Sequence, residues 1–255
     1  MTSNRKNQIY TLLKGIETGD EESVKVVNPD KYIQHNPQTH EGGEGLASLF
    51  KRLSKTNPSV NIVRIFSDGD YVFGHTEYDF GSPRVGFEVF RFEGDQTVEH
   101  WDNIQPRKGP NLAGHTMVDG AIEISDSGKT KSNRQIVQTF VEEVLINRQL
   151  EKLAHYIDNE CYTEHNPDSG DGQSALRSVL LELTSAGDFK ILYTKSHRVL
   201  AEGNFVLSVS EGFSNGVHSS FYDLFRLADG KLVEHWDTTE AVPPKSEWKN
   251  DNGKF

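Results

Sequence analysis

The sequence predicts an α+β protein built from two similar domains in tandem, and three observations lead to this prediction. A set of motifs occurs twice at a nearly constant spacing, helical periodicity opens each copy, and alternating β-branched and aromatic residues fill the rest. The length of 255 residues suits two domains of ordinary size. Helices followed by a strand meander in each copy are typical of the α+β class.

Two motifs carry the repeat. The segment Tyr32–Pro37 recurs as Tyr162–Pro167, and the run Val98–Asp102 recurs as Val233–Asp237. Order and spacing are both kept, as expected for a tandem duplication. We therefore predict domains at residues 1–125 and 126–255, with a polar connection between the copies over residues 107–131.

Each copy is predicted to contain three helices and then a meander. The first helix is amphipathic, with apolar residues spaced to face a core: Ile9, Leu12, Leu13 and Ile16 in one copy, and Ile136, Phe140, Val144 and Leu145 in the other. Short helices follow over about 20–27 and 148–157, and third helices over 46–53 and 175–183. Strands are predicted from residue 60 to 105 and from 190 to 239, because β-branched and aromatic residues alternate there.

The last hairpin of each copy decides which side chains share a face. In the second copy we predict a three-residue loop, Ala228–Gly230, which pairs Asp223 with His235 and keeps Arg226 off the apolar face. One face would then carry Asp223, Phe225, Val233, His235 and Asp237. By analogy, the first copy would present together Glu88, Phe90, Phe92, Val98, His100 and Asp102.

Composition limits the classes of function. The formal net charge of −11 argues against a nucleic-acid surface, which needs clustered lysine and arginine. No stretch approaches the roughly 18 apolar residues of a membrane span, and no signal peptide is visible, so we expect a cytoplasmic protein without membrane partners. A single cysteine, Cys161, can form neither an internal disulfide nor a cysteine-based zinc site.

The repeated HNP and EHWD motifs, the glycine-led third helix and the FRF hairpin resemble the SnoaL-like (polyketide cyclase-like) family of the nuclear transport factor 2-like superfamily. The resemblance covers nearly the whole chain twice. It implies two cystatin-like, cone-shaped α+β barrels, each with three helices on a curved, mainly antiparallel sheet. Trp101 and Trp236 fall on the face opposite the acids, so we expect the sheets to pair as an intramolecular pseudo-dimer.

The resemblance also implies site residues. Asp102 and Asp237 match the acid/base aspartate of SnoaL-type cyclases, and Glu88 and Asp223 match an acidic position in the oxyanion site of ketosteroid isomerase-like members. Burial would raise the pKa of such a carboxyl group and suit it to proton transfer near neutral pH. His100 and His235 would orient a substrate carbonyl. For substrate binding we expect, besides Glu88 and Asp223, the residues His35, His165, His75, Phe90 and Phe225.

Purely structural roles remain as alternatives for these residues. The acids and histidines could satisfy one another across the hairpin or bind Arg64 and Arg198, and the HNP histidines could simply pack in the core. His75 is matched by Val209, so the copies are chemically unequal, and the first would be the active one if His75 faced the cavity. We predict no metal, because no HxH or HxxxH ligand pair accompanies these residues.

From the resemblance we expect a cofactor-independent cyclase or isomerase. It would move a proton on a small, oxygenated, largely apolar substrate, in a reaction of the intramolecular aldol type. The alternatives are a non-catalytic small-molecule-binding protein with one pocket per barrel, and a purely architectural protein. We expect a monomer with an internal pseudo-two-fold, or a homo-oligomer of it.

Overall fold

The computed structural model describes residues 2–158 and 161–255, which fall into two compact α+β units. One unit comprises the chain up to Pro106 together with Pro243–Phe255, and the other comprises Arg107–Val242. Residues 107–125 therefore pack with the second copy, and the segment after Val242 packs with the first. The predicted boundary at residue 125 instead assigned residues 107–125 to the first domain and the segment after Val242 to the second.

The first unit contains a five-stranded mixed sheet within the described range. Its elements in chain order are α1 (Thr2–Thr18), β1 (Ile33–Gln34), α2 (Gly42–Leu53), β2 (Ser59–Asp68), β3 (Tyr71–Asp79), β4 (Pro83–Glu93) and β5 (Gln96–Pro106). A 3₁₀ segment, Glu21–Val26, lies where the second helix was predicted. The strand order is β1-β5-β4-β3-β2, in which only the short β1 runs parallel to its neighbour.

The second unit repeats this arrangement. Its elements are α3 (Thr130–Phe140), α4 (Leu153–Tyr156), β6 (Thr163–Glu164), α5 (Gln173–Leu181), β7 (Ile191–Glu202), β8 (Phe205–Ser214), β9 (Val217–Ala228) and β10 (Lys231–Ala241). A π-helical segment, Val141–Ile146, continues α3. The strand order β6-β10-β9-β8-β7 matches that of the first unit.

In each unit the apolar stripe of the first helix packs against one face of the sheet. Ile9 and Leu12 of α1 share a buried cluster with Val72 and Phe90. In the second unit the corresponding cluster joins α3 to the residues of β9 that include Phe225. The sheet face under the helices is thus the inner face, and the side chains at alternate positions lie on the outer face.

The last hairpin of the second unit has a two-residue turn, so the predicted three-residue loop is wrong. Lys231 pairs with Ala228, and Asp229 and Gly230 adopt φ values of 48° and 77°, which suit a tight hairpin turn. Asp223 pairs with Asp237 and not, as predicted, with His235, because the turn is one residue shorter and the register shifts between Leu232 and Glu234. The difference from the predicted register is two residues, which is one full strand period, so the predicted face survives.

The first hairpin has the matching pattern. Glu88 pairs with Asp102 and Phe90 with His100, and the register shifts between Arg91 and Phe92. Both hairpins therefore bring an acid of the fourth strand opposite the aspartate of the last strand.

Over the part of the chain that the structure describes, no helix has the length and apolar character to cross a membrane.

Candidate functional site

The inner face of the second unit carries a buried cluster of three carboxylates and one imidazole. His235 lies between two of the acids, with Nδ1 2.9 Å from Glu164 Oε1 and Nε2 3.2 Å from Asp223 Oδ1. Burial alone would lower the pKa of His235, but the charges of Glu164 and Asp223 raise it well above its ordinary value. The imidazole is therefore cationic at neutral pH, and it is held by acceptors on both sides.

Asp237 is the third acid of this cluster. The amide of Asn166 donates to both of its oxygens, at 3.0 and 2.8 Å. Burial raises the pKa of Asp237 to about 7; His235 opposes the shift, while the negative charges of Glu164 and Asp223 add to it. One imidazolium cannot balance three carboxylates in a buried site, so Asp237 holds its proton close to neutral pH.

A cavity of about 60 Å³ reaches these groups in the second unit. Its polar lining includes Glu164, Asn166, Asp223, His235 and Asp237. Its apolar and aromatic walls include Phe140, Leu145, Tyr162, Leu176, Tyr193, Phe221 and Phe225. The Tyr193 hydroxyl donates to Asp223 Oδ1 at 2.9 Å, and the Tyr162 hydroxyl donates to Glu164 Oε2 at 3.1 Å. The cavity thus places apolar walls beside an acid whose pKa lies near 7.

The first unit carries a related but different cluster. His100 Nε2 lies 2.7 Å from Glu88 Oε2, and the Tyr78 hydroxyl donates to Glu88 Oε1 at 2.7 Å. Burial raises the pKa of Glu88, although the contact with His100 reduces the shift. Ligand-type atoms of Glu88, His100 and Asp102 lie within 4.8 Å of one another, a spacing that could hold a metal ion.

A lysine already supplies a cation to this first cluster. Lys254 is buried, and its Nζ donates to Asp102 Oδ1 at 3.3 Å, while Asn36 donates to Oδ2 at 2.7 Å. Burial by itself would raise the pKa of Asp102, but Lys254 and then His100 lower it below its ordinary value. Asp102 is therefore ionised at neutral pH, whereas Asp237 is only partly ionised there.

Two substitutions between the copies explain this difference. His100 Nδ1 faces the neutral Gln34 at 3.0 Å, whereas His235 Nδ1 faces the charged Glu164. In the first unit a backbone carbonyl contacts His35 Nδ1 at 3.0 Å, and the next residue is Lys254. In the second unit a backbone carbonyl contacts His165 Nδ1 at 2.8 Å, and the next residue is Met117. Lys254 and Met117 therefore occupy matching positions along the chain. The first cluster thus gains a cation from Lys254, and the second gains an extra acid from Glu164.

The structure does not place His35, His165 or His75 in the inner-face clusters; His35 and His165 instead contact Glu99 and Glu234, each at 3.0 Å. His35 stacks on Trp101 at 4.6 Å, and His165 stacks on Trp236 at 4.7 Å, both on the outer face. The reason is strand alternation: the preceding residues, Gln34 and Glu164, point inward to the cluster histidines, so the next side chains point outward.

His75 is also on the outer face, where it stacks on Phe87 and lies 3.0 Å from Arg64. Its pairing partners in the sheet are Phe87 and Arg64, whereas Glu88 pairs with Gly74. The two phenylalanines expected at the site do lie there. Phe90 stacks on His100 at 4.4 Å, and Phe225 stacks on His235 at 4.7 Å.

Sequence reasoning missed several members of the clusters. Gln34 and Glu164 stand two residues before Asn36 and Asn166, and strand alternation could have placed all four on the inner face. Both asparagines also accept a backbone N–H two residues ahead, so each forms a local turn and holds the aspartate as well. Lys254 gives no comparable signal, because only the fold brings it back to the first copy.

Comparison with protein-family models and with curated proteins finds no match. The solved structures that this chain matches include TsrD from Streptomyces laurentii, at 18% identity and a TM-score of 0.37, covering 40% of this chain and 89% of that one. A LEH-like epoxide hydrolase of M. tuberculosis has 19% identity, a TM-score of 0.36 and coverages of 41% and 84%.

A putative polyketide cyclase from Bacillus cereus ATCC 10987 has 16% identity and a TM-score of 0.37. The match covers 40% of this chain and 74% of the cyclase chain. With identities below 20% and TM-scores below 0.5, none of these similarities indicates a function for this chain.

Proposed function

We propose that the second unit is a general acid/base enzyme of the cyclase or isomerase type, which moves a proton on a small carbonyl compound. The observation that carries this proposal is the position of Asp237, a buried carboxyl group with a pKa of about 7 beside a cavity. An acid/base group works best when its pKa lies near the operating pH. Asp237 can therefore accept and return a proton without a cofactor.

The proposed step begins with ionised Asp237. Its oxygen takes a proton from the carbon next to the substrate carbonyl, and the C–H electron pair moves to form an enolate. Protonated Asp237 then returns the proton to another atom of the substrate, either at carbon or at a new alkoxide. The positive charge of His235 stabilises the enolate, although both of its ring nitrogens are already engaged by Glu164 and Asp223.

The same role is not proposed for Asp102. Its ion pair with Lys254 favours the ionised form and keeps the pKa of Asp102 below its ordinary value, far from the operating pH of an acid/base group. This difference reverses the expectation that the first copy is the active one, which depended on His75 facing the cavity.

The test is hydrogen–deuterium exchange at the α-carbon of a panel of four- to six-carbon ketones, with and without a primary amino group, in D₂O. We expect exchange above the buffer rate, rising with pH through about pH 7 as Asp237 ionises. Asp237→Asn should reduce the rate by about 10²-fold or more.

The matching change in the first unit, Asp102→Asn, is the control and should leave the rate unchanged. Exchange that is equal in wild type and Asp237→Asn, or absent for every ketone of the panel, would overturn the proposal. Binding of a ketone without any exchange would favour the alternative of a non-catalytic binding protein.

A further inference from the structure

The two clusters differ by one cation that the chain supplies to only one of them. In the first unit the ammonium of Lys254 pairs with Asp102, within a set of two carboxylates and one histidine. In the second unit three carboxylates surround one histidine, and Met117 stands at the place in the connecting segment that matches Lys254. The second site therefore has an excess of negative charge that a cation of the size of an ammonium group would balance.

A second observation points to a ligand at this site. Oδ2 of Asp223 is buried and has no hydrogen-bond partner among the described residues, although Oδ1 accepts from Tyr193. A buried carboxylate oxygen without a donor is costly, so a rotation of the Asp223 carboxylate that turned Oδ2 toward a ligand donor in the cavity would be favoured. Asp223 lines the cavity together with Tyr193 and Phe221, whose rings can face a cation or an aliphatic chain.

We propose that the cavity of the second unit binds small aliphatic molecules that carry a primary ammonium group. The ammonium would donate to Asp223 Oδ2 and lie close to Asp237, while the carbon chain contacts the aromatic walls. This inference rests on the proposed function, because it names the class of substrate for the same cavity: a carbonyl compound that also bears an amine.

Binding of such a cation couples to the proton of Asp237. The charged groups that face Asp237 are Glu164 from β6, Asp223 from β9 and His235 from β10, and the hydroxyls of Tyr162 and Tyr193 complete the surroundings. Adding one positive charge to this set favours the ionised form of Asp237. The ligand would therefore release a proton as it binds and convert Asp237 into the base that the reaction requires.

The experiment is titration calorimetry of the full chain at pH 7 with isobutylamine and with its neutral counterpart 2-methylpropan-1-ol. We expect the amine to bind at least about tenfold more tightly than the alcohol. Repeating the titration in buffers of different ionisation enthalpy should show proton release with the amine and none with the alcohol.

Two substitutions assign the binding to this cavity. Asp223→Asn and Glu164→Gln should each weaken amine binding by about tenfold or more. Glu164→Gln keeps the cluster close to that of the first unit, where Gln34 accepts the same backbone N–H. Glu182→Gln removes one carboxylate from an exposed pair in the same unit and should leave binding unchanged.

A third variant, Met117→Lys, supplies the missing cation from the chain and should abolish amine binding while the circular dichroism spectrum keeps its native form. If that variant unfolds, the Asp223 and Glu164 variants still decide the matter. Equal binding of amine and alcohol, or amine binding that both of these substitutions leave intact, would overturn the inference. Failure of the ketone exchange with amine binding intact would instead count against the proposed catalysis alone.

Discussion

Lys254 has the clearest single-residue effect in the first unit. Its buried ammonium is the cation next to Asp102, and the segment that carries it is fixed by hydrogen bonds from Asn250 to the carbonyls of Asn36 and Thr39. Removing one partner of a buried ion pair leaves the other charge uncompensated. The chain thus stabilises an aspartate in one unit by the same kind of interaction that we propose for a ligand in the other.

We expect Lys254→Met to lower the free energy of unfolding at pH 7 by about 3 kcal/mol. The lowered pKa of Asp102 stabilises the fold above its unfolded value of 3.8, and this contribution is lost as the pH falls. The difference between variant and wild type should therefore shrink below about pH 4. Urea unfolding at several pH values measures it.

Lys245→Met is a suitable control, because Lys245 is exposed in the same terminal segment. The control should leave stability nearly unchanged at every pH. A Lys254→Met effect as small as that of the control, or one that does not shrink at low pH, would contradict a stabilising role for the Lys254–Asp102 ion pair.

At the scale of single elements, strand irregularities decide where the site residues lie. The register shift between Leu232 and Glu234 absorbs one residue of β10, so that a two-residue turn still leaves His235 and Asp237 on the inner face. Strand alternation could be predicted from sequence, and it placed the acids correctly. The turn length could not be predicted, because Asp-Gly occurs in both two- and three-residue hairpin loops. The position of the bulge distinguishes the two loops, and the sequence does not give that position.

The strand β7 also shifts register twice near Tyr193, and Gly212 on β8 makes this possible. A Cβ atom at Gly212 would lie 1.9 Å from the Leu192 carbonyl oxygen, so a side chain would push β7 away. We expect Gly212→Ala to destabilise the protein by about 2 kcal/mol or more and to move Tyr193 away from Asp223. Thermal unfolding and the ketone exchange rate both report this change.

Gly109→Ala provides the comparison, since no atom lies within 4 Å of a Cβ built at that position. It should change the melting temperature and the exchange rate very little. If Gly212→Ala were as harmless as this control, the bulge of β7 would have no part in positioning Tyr193.

At the scale of the whole molecule, the duplicated α+β plan could be predicted because repeats and periodicities are local in sequence. The packing of the segments outside the two copies could not be predicted. Residues 107–125 follow the first copy but pack with the second, and Pro243–Phe255 follows the second copy but packs with the first. Part of the chemical inequality of the two clusters depends on the terminal segment, through Lys254, and the rest on Gln34 against Glu164. That the two sheets pair as an intramolecular pseudo-dimer stays a prediction.

Asp237 should also affect the stability of the whole molecule. Its folded pKa of about 7 lies above the ordinary 3.8, so the folded state binds a proton that the unfolded state has lost between these values. Stability from this group is fully present below pH 3.8 and falls as the pH rises to about 7. Asp237→Asn should remove this decline, so that the variant is the more stable protein at pH 8 by a few kcal/mol.

The most direct measurement is the titration of the Asp237 carboxyl group itself. Carbon-13 NMR of aspartate-labelled protein, with Asp237→Asn to assign the resonance, would follow its protonation from pH 3 to pH 9. The proton-transfer account predicts a midpoint near pH 7 that moves down when isobutylamine is added. A midpoint close to the ordinary value of 3.8, unmoved by the amine, would contradict both the acid/base role and the ammonium site.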